Sequence, residues 1–552
     1  MSEIKQEEKQ TEDVQFPELV IGLSGALGTD LKSVIGHINQ SLHRMHYSCH
    51  HIKLSKLMSA FAIEEALDDV DKLDEDLRIE KLMDAGNNFR QSWPDSDGEG
   101  ISHLAISEFV NIRQKHWEKD DSIQPDEKNH KPIPKTAYIV DSIKHPDEVK
   151  FFKRMYGDAF ILISVYEPKD IRQKQLIKRF EKSKHGISTV LTKEQKDALN
   201  ERAEQLMNKD EDENNKFGQS VRKVFHQADL FVSSIYEKKS GLDISKQIDR
   251  FFNLLFGAPF ITPTTDEYGI SLAHSVALKS ADLSRQVGAV ILTDNGEIIS
   301  AGCNEVPSTG GSPFWEGENS KRQDTRDYKV GDDASARMKH YMITEVMQEL
   351  KNGGWLNDQY LNKTAEDLCT YSLYGEEKEE SGEILKTEGI LKNSRVANII
   401  EFGRIVHAEM SAITDAARRG LSIDGKILYC TTFPCHMCAR HILASGIKKV
   451  IFIEPYAKSM AADLYKGLMK IDGDKDAYEG AILFEPFIGI SPKRFSYLFS
   501  MESKGIERKG KNTGLAKTEE YILNDPLLEN WNPYASLSER IALQKLKNHL
   551  GD

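Results

Sequence analysis

Two short segments, "GRIVHAEMSA" at 403–412 and "TTFPCHMCAR" at 431–440, most constrain what this chain can fold into. Cys435 and Cys438 are three positions apart, so both face the same way on one helical turn. A helix N-terminus favours thiolate, the form of cysteine that binds zinc. His407 opens the preceding predicted helix and supplies a third ligand. Two thiolates and one imidazole leave a fourth position for water, which predicts a catalytic Zn²⁺ site.

Glu409 lies two positions after His407. Positions two apart do not share a helix face, so both side chains reach one site only from the first turn, end-on. The order H-x-E…P-C-x-x-C is the signature of zinc-dependent nucleobase deaminases. In such a site zinc brings the pKa of its water towards roughly 7. Glu409 is then expected to carry protons to the ring nitrogen and to the departing amine.

Two other interpretations compete with a catalytic site. Cys430 lies five residues before Cys435 and would close a structural Cys₃His zinc site, which needs no Glu409. Alternatively the cysteines are buried thiols without a metal. The strand–loop–helix order, Pro434 and Glu409 together favour the catalytic interpretation.

Composition limits the class of protein. A chain of 552 residues predicts two or three domains, and a net charge of −14 argues against a broad, non-specific nucleic-acid surface. Six cysteines, three of them at 430–438, are too sparse for a disulfide framework and favour a reducing compartment. The N-terminal sequence is polar and acidic, without the pattern of a signal peptide, and the apolar runs are shorter than a membrane span. We therefore expect a soluble cytoplasmic protein with no membrane partner.

Apolar strands alternate with charged helices in both halves of the chain, which predicts an α/β fold with a parallel sheet in the first half. In the first half, "ELVIGLSGALGTDLKSVIGHI" predicts a short apolar strand, a Gly-rich turn and a helix. Further strands are predicted at 136–142, 159–166 and 228–234. In the second half we predict a hairpin around Asp-Asn-Gly, a helix that ends at Gly420, and further strands and helices, including a helix over 459–470. The predicted division is an acidic tail (1–16), a first domain (17–250), a second domain (251–505) with an insertion at about 305–400, and a helical C-terminal extension (506–552).

The segment "SLAHSVALKSADLSRQVGAVILTDNGEIISAGCNEVP", followed by HAE and PCxxC, resembles deoxycytidylate deaminases. With "MDAGNNFR", "IEPYAKSMAADL" and "FEPFIGISPKRF", nearly the whole chain resembles the two-domain bacterial antiphage dCTP deaminases. That resemblance implies an N-terminal P-loop kinase-like parallel sheet domain and a C-terminal cytidine deaminase-like α/β/α domain. It also implies zinc-dependent deamination of dCTP and dCMP, which depletes the nucleotide pool that a phage needs. A small inhibitory RNA and a homo-oligomer are implied as partners.

The same resemblance gives four candidate substrate contacts. Asn304 would contact the sugar or base and Arg285 would lie near the phosphates, with Lys458 and Ser459 as further candidates. Each has a simpler interpretation, since an asparagine at a strand end is often a turn residue and a surface arginine is often an ion-pair partner.

The first predicted strand leads into "GALGTDLK", which departs from the P-loop pattern G-x-x-x-x-G-K-[ST]. Asp30 stands where the second glycine belongs, and Leu31 stands where the lysine belongs. Gly25, Gly28 and Thr29 still allow a tight turn onto a helix N-terminus, and Asp141 ends a strand where a Walker B carboxylate would lie. A weak nucleotide site and a purely structural turn both remain open.

Between Lys150 and Lys184 there are ten lysines or arginines and four acidic residues. This stretch is a remnant of a phosphate-clamping lid, a contact for RNA, or a solvated helix face.

The predicted function is hydrolytic deamination of free deoxycytidine nucleotides in phage defence. The alternatives are a housekeeping dCMP deaminase, a polynucleotide cytosine deaminase and a non-enzymatic nucleotide sensor with a structural zinc.

Overall fold

The computed structural model describes residues 17–550 except 62–68, 95–97, 125–127, 186–191, 212–217, 234–242, 312, 317–322, 379–383, 387–388, 393, 400, 456–458, 472–476, 504–525 and 529–534. The chain forms two compact units, residues 1–267 with 487–552, and residues 268–486. These divisions differ from the predicted ones, which lie at 250/251 and 505/506. Among the described helices, none combines the length and the apolar character needed to cross a bilayer.

The first unit is built on a six-stranded sheet in the order β14-β5-β4-β1-β3-β2. Its strands are β1 (Leu19–Gly25), β2 (Ser48–Lys53), β3 (Thr136–Asp141), β4 (Phe160–Tyr166), β5 (Leu230–Ser233) and β14 (Gly489–Ile490). The first five are parallel, and β14 pairs antiparallel with β5. From β1 the chain continues to β2, at one edge of the sheet. From β3 it continues to β4, which lies on the opposite side of β1. Open parallel sheets bind ligands where the connections diverge in this way, at the carboxyl ends of the strands.

Helices flank this sheet. They are α1 (Leu31–Arg44), α2 (Leu54–Ala60), α3 (Glu75–Ser92), α4 (Gly100–Trp117), α5 (Pro146–Tyr156), α6 (Lys169–His185), α7 (Lys193–Glu211), α8 (Val221–Phe225), α9 (Ile244–Leu255), α18 (Pro492–Phe499) and α19 (Ala535–Leu550). A further helix, α10 (Thr265–Ala277), spans the division between the units. The alternation of strand and helix confirms the predicted parallel α/β sheet.

The four predicted strands of this unit are all present, whereas β2 was missed. Its sequence, "SCHHIK", is polar, and only Ile52 is buried. The strand lies at the edge of the sheet and pairs with a single neighbour. Most of its side chains are therefore partly or fully exposed, and polar residues are tolerated there. The signal for β2 is therefore its pairing with the buried strand β3, which no local pattern shows.

The C-terminal helix α19 is part of the first unit. Its Glu539 is fully buried and forms an ion pair with Arg113 of α4, which also pairs with Glu18. The Tyr156 hydroxyl donates to Glu539 Oε1 at 2.6 Å. A buried guanidinium needs such carboxylate partners, because an unpaired buried charge is costly. The chain therefore returns to its first unit after completing the second.

The second unit has a six-stranded sheet in the order β12-β13-β11-β10-β6-β7 and a two-stranded sheet. Its strands are β6 (Gly288–Leu292), β7 (Ile298–Cys303), β8 (Glu376–Lys378), β9 (Ile384–Lys386), β10 (Ile427–Thr432), β11 (Lys449–Glu454), β12 (Met469–Ile471) and β13 (Ile482–Pro486). Its helices are α11 (Asp327–Val330), α12 (Ala334–Asn352), α13 (Asp358–Leu361), α14 (Ala365–Tyr374), α15 (Ala408–Arg418), α16 (His436–Ala444) and α17 (Ala461–Leu464). Strands β10 to β13 pair in parallel, while β6 pairs antiparallel with both β7 and β10, which confirms the predicted hairpin.

The helix predicted over 459–470 is wrong in its length. Helix α17 ends at Leu464, and the chain forms strand β12 from Met469. Gly467 lies between them with a φ of +82°, a left-handed conformation that interrupts a helix.

Helix α15 packs closely on the sheet. Ala408, Ala412 and Ala416 recur every four residues and are fully buried on one face of the helix. Facing them, Gly302 of β7 comes so near that a Cβ there would lie 2.4 Å from Ala412 N. Small residues on both sides fix the depth of α15, and therefore the position of its first turn.

A buried histidine makes the first unit sensitive to acid. His103 of α4 packs between the rings of Trp93 and Phe151, at centroid distances of 4.3 and 4.6 Å. Burial lowers the pKa of His103 from 6.5 to about 4, and Lys545 and Arg154 lower it further, although Glu99 O accepts from Nδ1. The unfolded chain therefore takes up this proton near pH 6.5, but the folded chain only near pH 4. Stability is full above pH 6.5 and falls as the pH falls towards 4.

Because of this histidine, we expect the unfolding free energy to fall by about 2 kcal/mol when the pH is lowered from about 7 to about 5. Urea unfolding at both pH values should show a smaller pH effect in His103→Gln, although this variant loses packing at neutral pH. The matched control is His116→Gln, an exposed position on the same helix, which should retain the pH dependence of the wild type. Equal pH dependence in all three proteins would contradict the assignment.

Candidate metal centre

Two helix N-termini supply the residues of this site. His407 is the N-cap residue of α15, and Cys435 is the N-cap residue of α16. Cys438 lies in the first turn of α16, and its backbone N–H donates to Cys435 Sγ at 3.5 Å. Both helices thus direct their positive ends towards one point, which favours thiolate there.

The three predicted ligands converge. His407 Nδ1 lies 3.2 Å from Cys435 Sγ and 3.4 Å from Cys438 Sγ. The ligand atoms of these three residues all lie within 4.8 Å of one another. Two soft sulfur donors and one imidazole nitrogen form the donor set of a catalytic zinc site, and the spacing fits one ion among them.

The two thiols titrate as a pair. The hydrogen bond between the two side chains, in which the Cys438 thiol donates, lowers the pKa of Cys435 to about 4. The same hydrogen bond raises the pKa of Cys438, so the second proton stays on that sulfur. The hydrogen bond with Cys435 likewise raises the pKa of His407. The pair therefore readily supplies at least one thiolate.

Glu409 lies in the first turn of α15 and is 4% exposed. Burial raises the pKa of its carboxyl, and the nearby Cys435 thiolate raises it further. Its side chain interacts with Cys438, on the metal side, and with Cys430 of β10. The carboxyl thus lies beside one of the three candidate ligands, and its role as a proton carrier stays a prediction.

One buried residue was missed as part of the site. Glu305 forms a short antiparallel bridge with Val406, with backbone N···O distances of 3.2 and 3.0 Å. Its carboxylate accepts from Ala281 N and Val306 N, both at 2.9 Å. Glu305 therefore fixes the backbone of Val406, the residue directly before His407. The available signal was its place after Asn304 in "GCNEVP".

Comparison with known proteins shows what this part of the chain is similar to. Residues 263–454 match the family model of the cytidine and deoxycytidylate deaminase zinc-binding region. The deoxycytidylate deaminase of Enterobacteria phage T4 is 50% identical over 54 residues, which are 10% of this chain and 28% of that protein. ComE operon protein 2 of Bacillus subtilis is 42% identical over 53 residues, which are 10% of this chain and 28% of that protein. The chain thus spans less than a third of the length of these curated relatives.

A solved dCMP deaminase from the cyanophage S-TIM5, in complex with dCMP and dUMP, is 18% identical. The match covers 41% of this chain and 100% of that chain, with a TM-score of 0.21.

Asn304 and Arg285 both have partners within the protein. Asn304 Oδ1 accepts from Val287 N at 2.7 Å, and its Nδ2 donates to Asp282 and to the backbone of Arg285. Arg285 is partly exposed and lies 3.5 Å from Glu454 Oε1. These contacts agree with the simpler interpretations, while a substrate role stays a prediction for both residues.

The other candidates are distributed over both units. Ser459 Oγ donates to Pro434 O at 2.9 Å, beside the start of α16, and Lys458 lies outside the described residues. In the first unit, the P-loop-like candidates line one cavity; they are Gly25, Gly28, Thr29 and Asp141. Of the ten basic residues at 150–184, seven form ion pairs.

Cys430 is not part of the ligand cluster among the described residues. Burial raises the pKa of its thiol, and the neighbouring carboxyl of Glu409 raises it further. The geometry thus favours a site with three protein ligands over the closed Cys₃His alternative.

This difference gives a direct test by metal analysis. Cys438→Ser should lose most of its zinc, since a hydroxyl replaces a thiolate ligand. Cys430→Ala should keep about one zinc per chain, the content expected for one such site. The measurement is elemental analysis of gel-filtered protein, with circular dichroism to confirm folding. Loss of zinc from folded Cys430→Ala would favour the closed structural site.

Proposed function

We propose that this protein is a zinc-dependent hydrolase that deaminates deoxycytidine nucleotides, converting dCTP to dUTP and dCMP to dUMP with release of ammonia. The observation that carries the proposal is the buried Glu409 beside the His407, Cys435 and Cys438 cluster. A structural zinc site has no need of a buried carboxylate at that position. The match of residues 263–454 to the deaminase-family model supports the same conclusion.

Metal binding and proton transfer are assigned to different residues of the site. His407, Cys435 and Cys438 would hold the zinc, which when bound makes a water molecule nucleophilic near neutral pH. Glu409 would accept one proton from a water molecule and deliver it to N3 of the cytosine ring. It would then take the second proton, from the hydroxyl newly bonded to C4, and give it to the departing amine. The balance is one water consumed and one ammonia released, with a C4–O bond formed and the C4–N bond broken. Burial of Glu409 keeps bulk water from competing for these protons.

A free deoxycytidine nucleotide is the substrate we favour. Several relatives carry the name deoxycytidylate deaminase, and a net charge of −14 disfavours a polynucleotide substrate. The use of dCTP, and a role in depleting nucleotides during phage infection, rest on the family resemblance. So do the inhibitory RNA, the homo-oligomer and the cytoplasmic location.

The P-loop kinase-like assignment of the first unit is also a proposal. It is supported by the order of its five parallel strands, β2-β3-β1-β4-β5, and by the turn that joins β1 to α1 at their centre. A housekeeping dCMP deaminase remains the second candidate, and the size of the first unit argues against it.

Glu409→Gln should lower kcat by about 10²- to 10⁴-fold, because it removes the proton carrier and keeps the side-chain shape. Zinc content should stay at the wild-type level, which separates catalysis from metal binding. The matched control is Glu297→Gln, an exposed glutamate that follows the β6–β7 turn, which should retain full activity. Undiminished turnover in zinc-loaded Glu409→Gln would disprove the assigned role.

Substrate class is tested by product analysis with dCTP, dCMP, CTP, cytidine and a cytosine-containing oligonucleotide. We expect dUTP from dCTP and dUMP from dCMP, both dependent on Glu409. Conversion of the oligonucleotide alone would favour the polynucleotide deaminase, and conversion of dCMP alone would favour the housekeeping enzyme. Nuclease-treated protein should be assayed in parallel, so that a co-purified RNA inhibitor is not mistaken for an inactive site.

A further inference from the structure

A cavity of the first unit lies where the connections of its sheet diverge. It has a volume of about 1010 Å³ and is lined by the β1–α1 turn, by Asp141 at the end of β3, and by parts of α2, α3 and α4. Ligand pockets typically measure about 300–1,000 Å³, so a nucleotide fits this space. Its volume and its place in the sheet both mark it as a ligand site.

The walls of the cavity differ in chemistry. One wall is apolar and consists of Leu54, Met58, Ile79, Leu82, Met83 and Ile101. At the rim, Lys53 and Lys56 are exposed and have no ion-pair partner within the described part of the chain. An apolar wall suits a flat base, and lysine ammonium groups suit phosphates. The combination indicates a ligand with one apolar and one polyanionic end.

A buried polar group adds to this indication. Gln219 lines the cavity and is 8% exposed, yet its Oε1 accepts no hydrogen bond from any residue that the structure describes. A buried amide oxygen without a donor costs free energy, so its presence on a cavity wall indicates a ligand that donates to it. Amino groups of a nucleobase are such donors.

The turn from β1 to α1 is held by the chain's own carboxylates. Leu27 N donates to Asp210 Oδ2 at 2.6 Å, and Asp30 N donates to Glu167 Oε2 at 3.2 Å. Backbone amides in such a turn bind phosphate oxygens in phosphate-binding loops. Asp210, which is fully buried at the end of α7, therefore takes the hydrogen bond that a phosphate would accept.

Lys144 supplies the cation that this turn lacks in its own sequence. It follows β3, and its Nζ donates to Gly25 O at 2.9 Å and to Asp210 Oδ1 at 2.8 Å. Its side chain is 17% exposed and lines the cavity. Lys144, which follows β3, can therefore provide the positive charge next to a phosphate that Leu31, at the lysine position of the P-loop pattern, cannot provide.

We propose that this cavity is a nucleoside polyphosphate site that the chain itself closes. Asp210 occupies the phosphate position of the β1–α1 turn, and Lys144 is the phosphate-contacting cation that becomes available when Asp210 withdraws. The site is separate from the metal centre, and the proposal does not rest on the deaminase activity.

The test measures binding of ATP, which carries no cytosine, to the full-length protein by calorimetry. Wild type should bind weakly, and Asp210→Asn should bind at least about tenfold more tightly, because one competing negative charge is gone. Adding Lys144→Gln to Asp210→Asn should cancel the gain. The matched control is Asp84→Asn, an exposed acidic residue of α3 with the same change of charge, which should bind as wild type does.

Inorganic tripolyphosphate tests whether the cavity binds a nucleoside polyphosphate or any polyphosphate. It should bind Asp210→Asn at least about tenfold more weakly than ATP, since it cannot use the apolar wall. Equal affinity for both would overturn the nucleoside assignment, and no gain in a folded Asp210→Asn protein would overturn the role of Asp210. Photolabelling of wild type with millimolar 8-azido-ATP needs no variant to fold. It should modify peptides of α3 or α4, and labelling confined to residues 268–486 would overturn the proposal.

Discussion

The meeting of two helix N-termini at one point is the interaction on which the proposed activity depends. The ligand atoms of His407, Cys435 and Cys438 converge only because α15 and α16 both begin there. Two thiolates repel one another, and all three side chains lose solvent when buried, so the surrounding fold must hold them in place. Alanines of α15 packed against Gly302 set the depth of the first helix, and the Glu305–Val406 bridge sets its start.

The same constraint explains the place of Glu409. A residue in the first turn points along the helix axis more than across it, so Glu409 can approach a metal held by the N-cap residue two positions earlier. At any later turn the carboxylate would face the sheet or the solvent. The spacing therefore links coordination and proton transfer in a single rigid element, which is how a preorganised site avoids the cost of reorganisation.

The first unit uses helix N-termini in a different way. Its β1–α1 turn requires a glycine, since Gly28 has a φ of +95° and an added Cβ would lie only 2.6 Å from Arg172 O. Carboxylates of Asp210 and Glu167 accept its amide hydrogens. The departure from the P-loop pattern at Asp30 has a local purpose as well, since its side chain caps α1 through Ser33 N. The turn is therefore stable without a ligand.

Much of this could be predicted from the sequence where the signal is local. The metal ligands follow from residue chemistry and spacing, and the buried strands follow from continuous apolar runs. Strand β2 could not be found, because its stability comes from pairing with β3 at a sheet edge. The contacts of Asp210 and Glu305 are also non-local, since Leu27 and Asp210 are 183 positions apart. The helix expected over 459–470 failed because one glycine at 467 outweighs the helical pattern around it.

The most direct measurement is X-ray absorption at the zinc edge on the purified, full-length protein in solution. The account predicts two sulfur neighbours at about 2.3 Å and two nitrogen or oxygen neighbours at about 2.0 to 2.2 Å, one from His407 and one from water. Three sulfur neighbours would mean that Cys430 closes the site, and the proposed hydrolytic deaminase would then be contradicted.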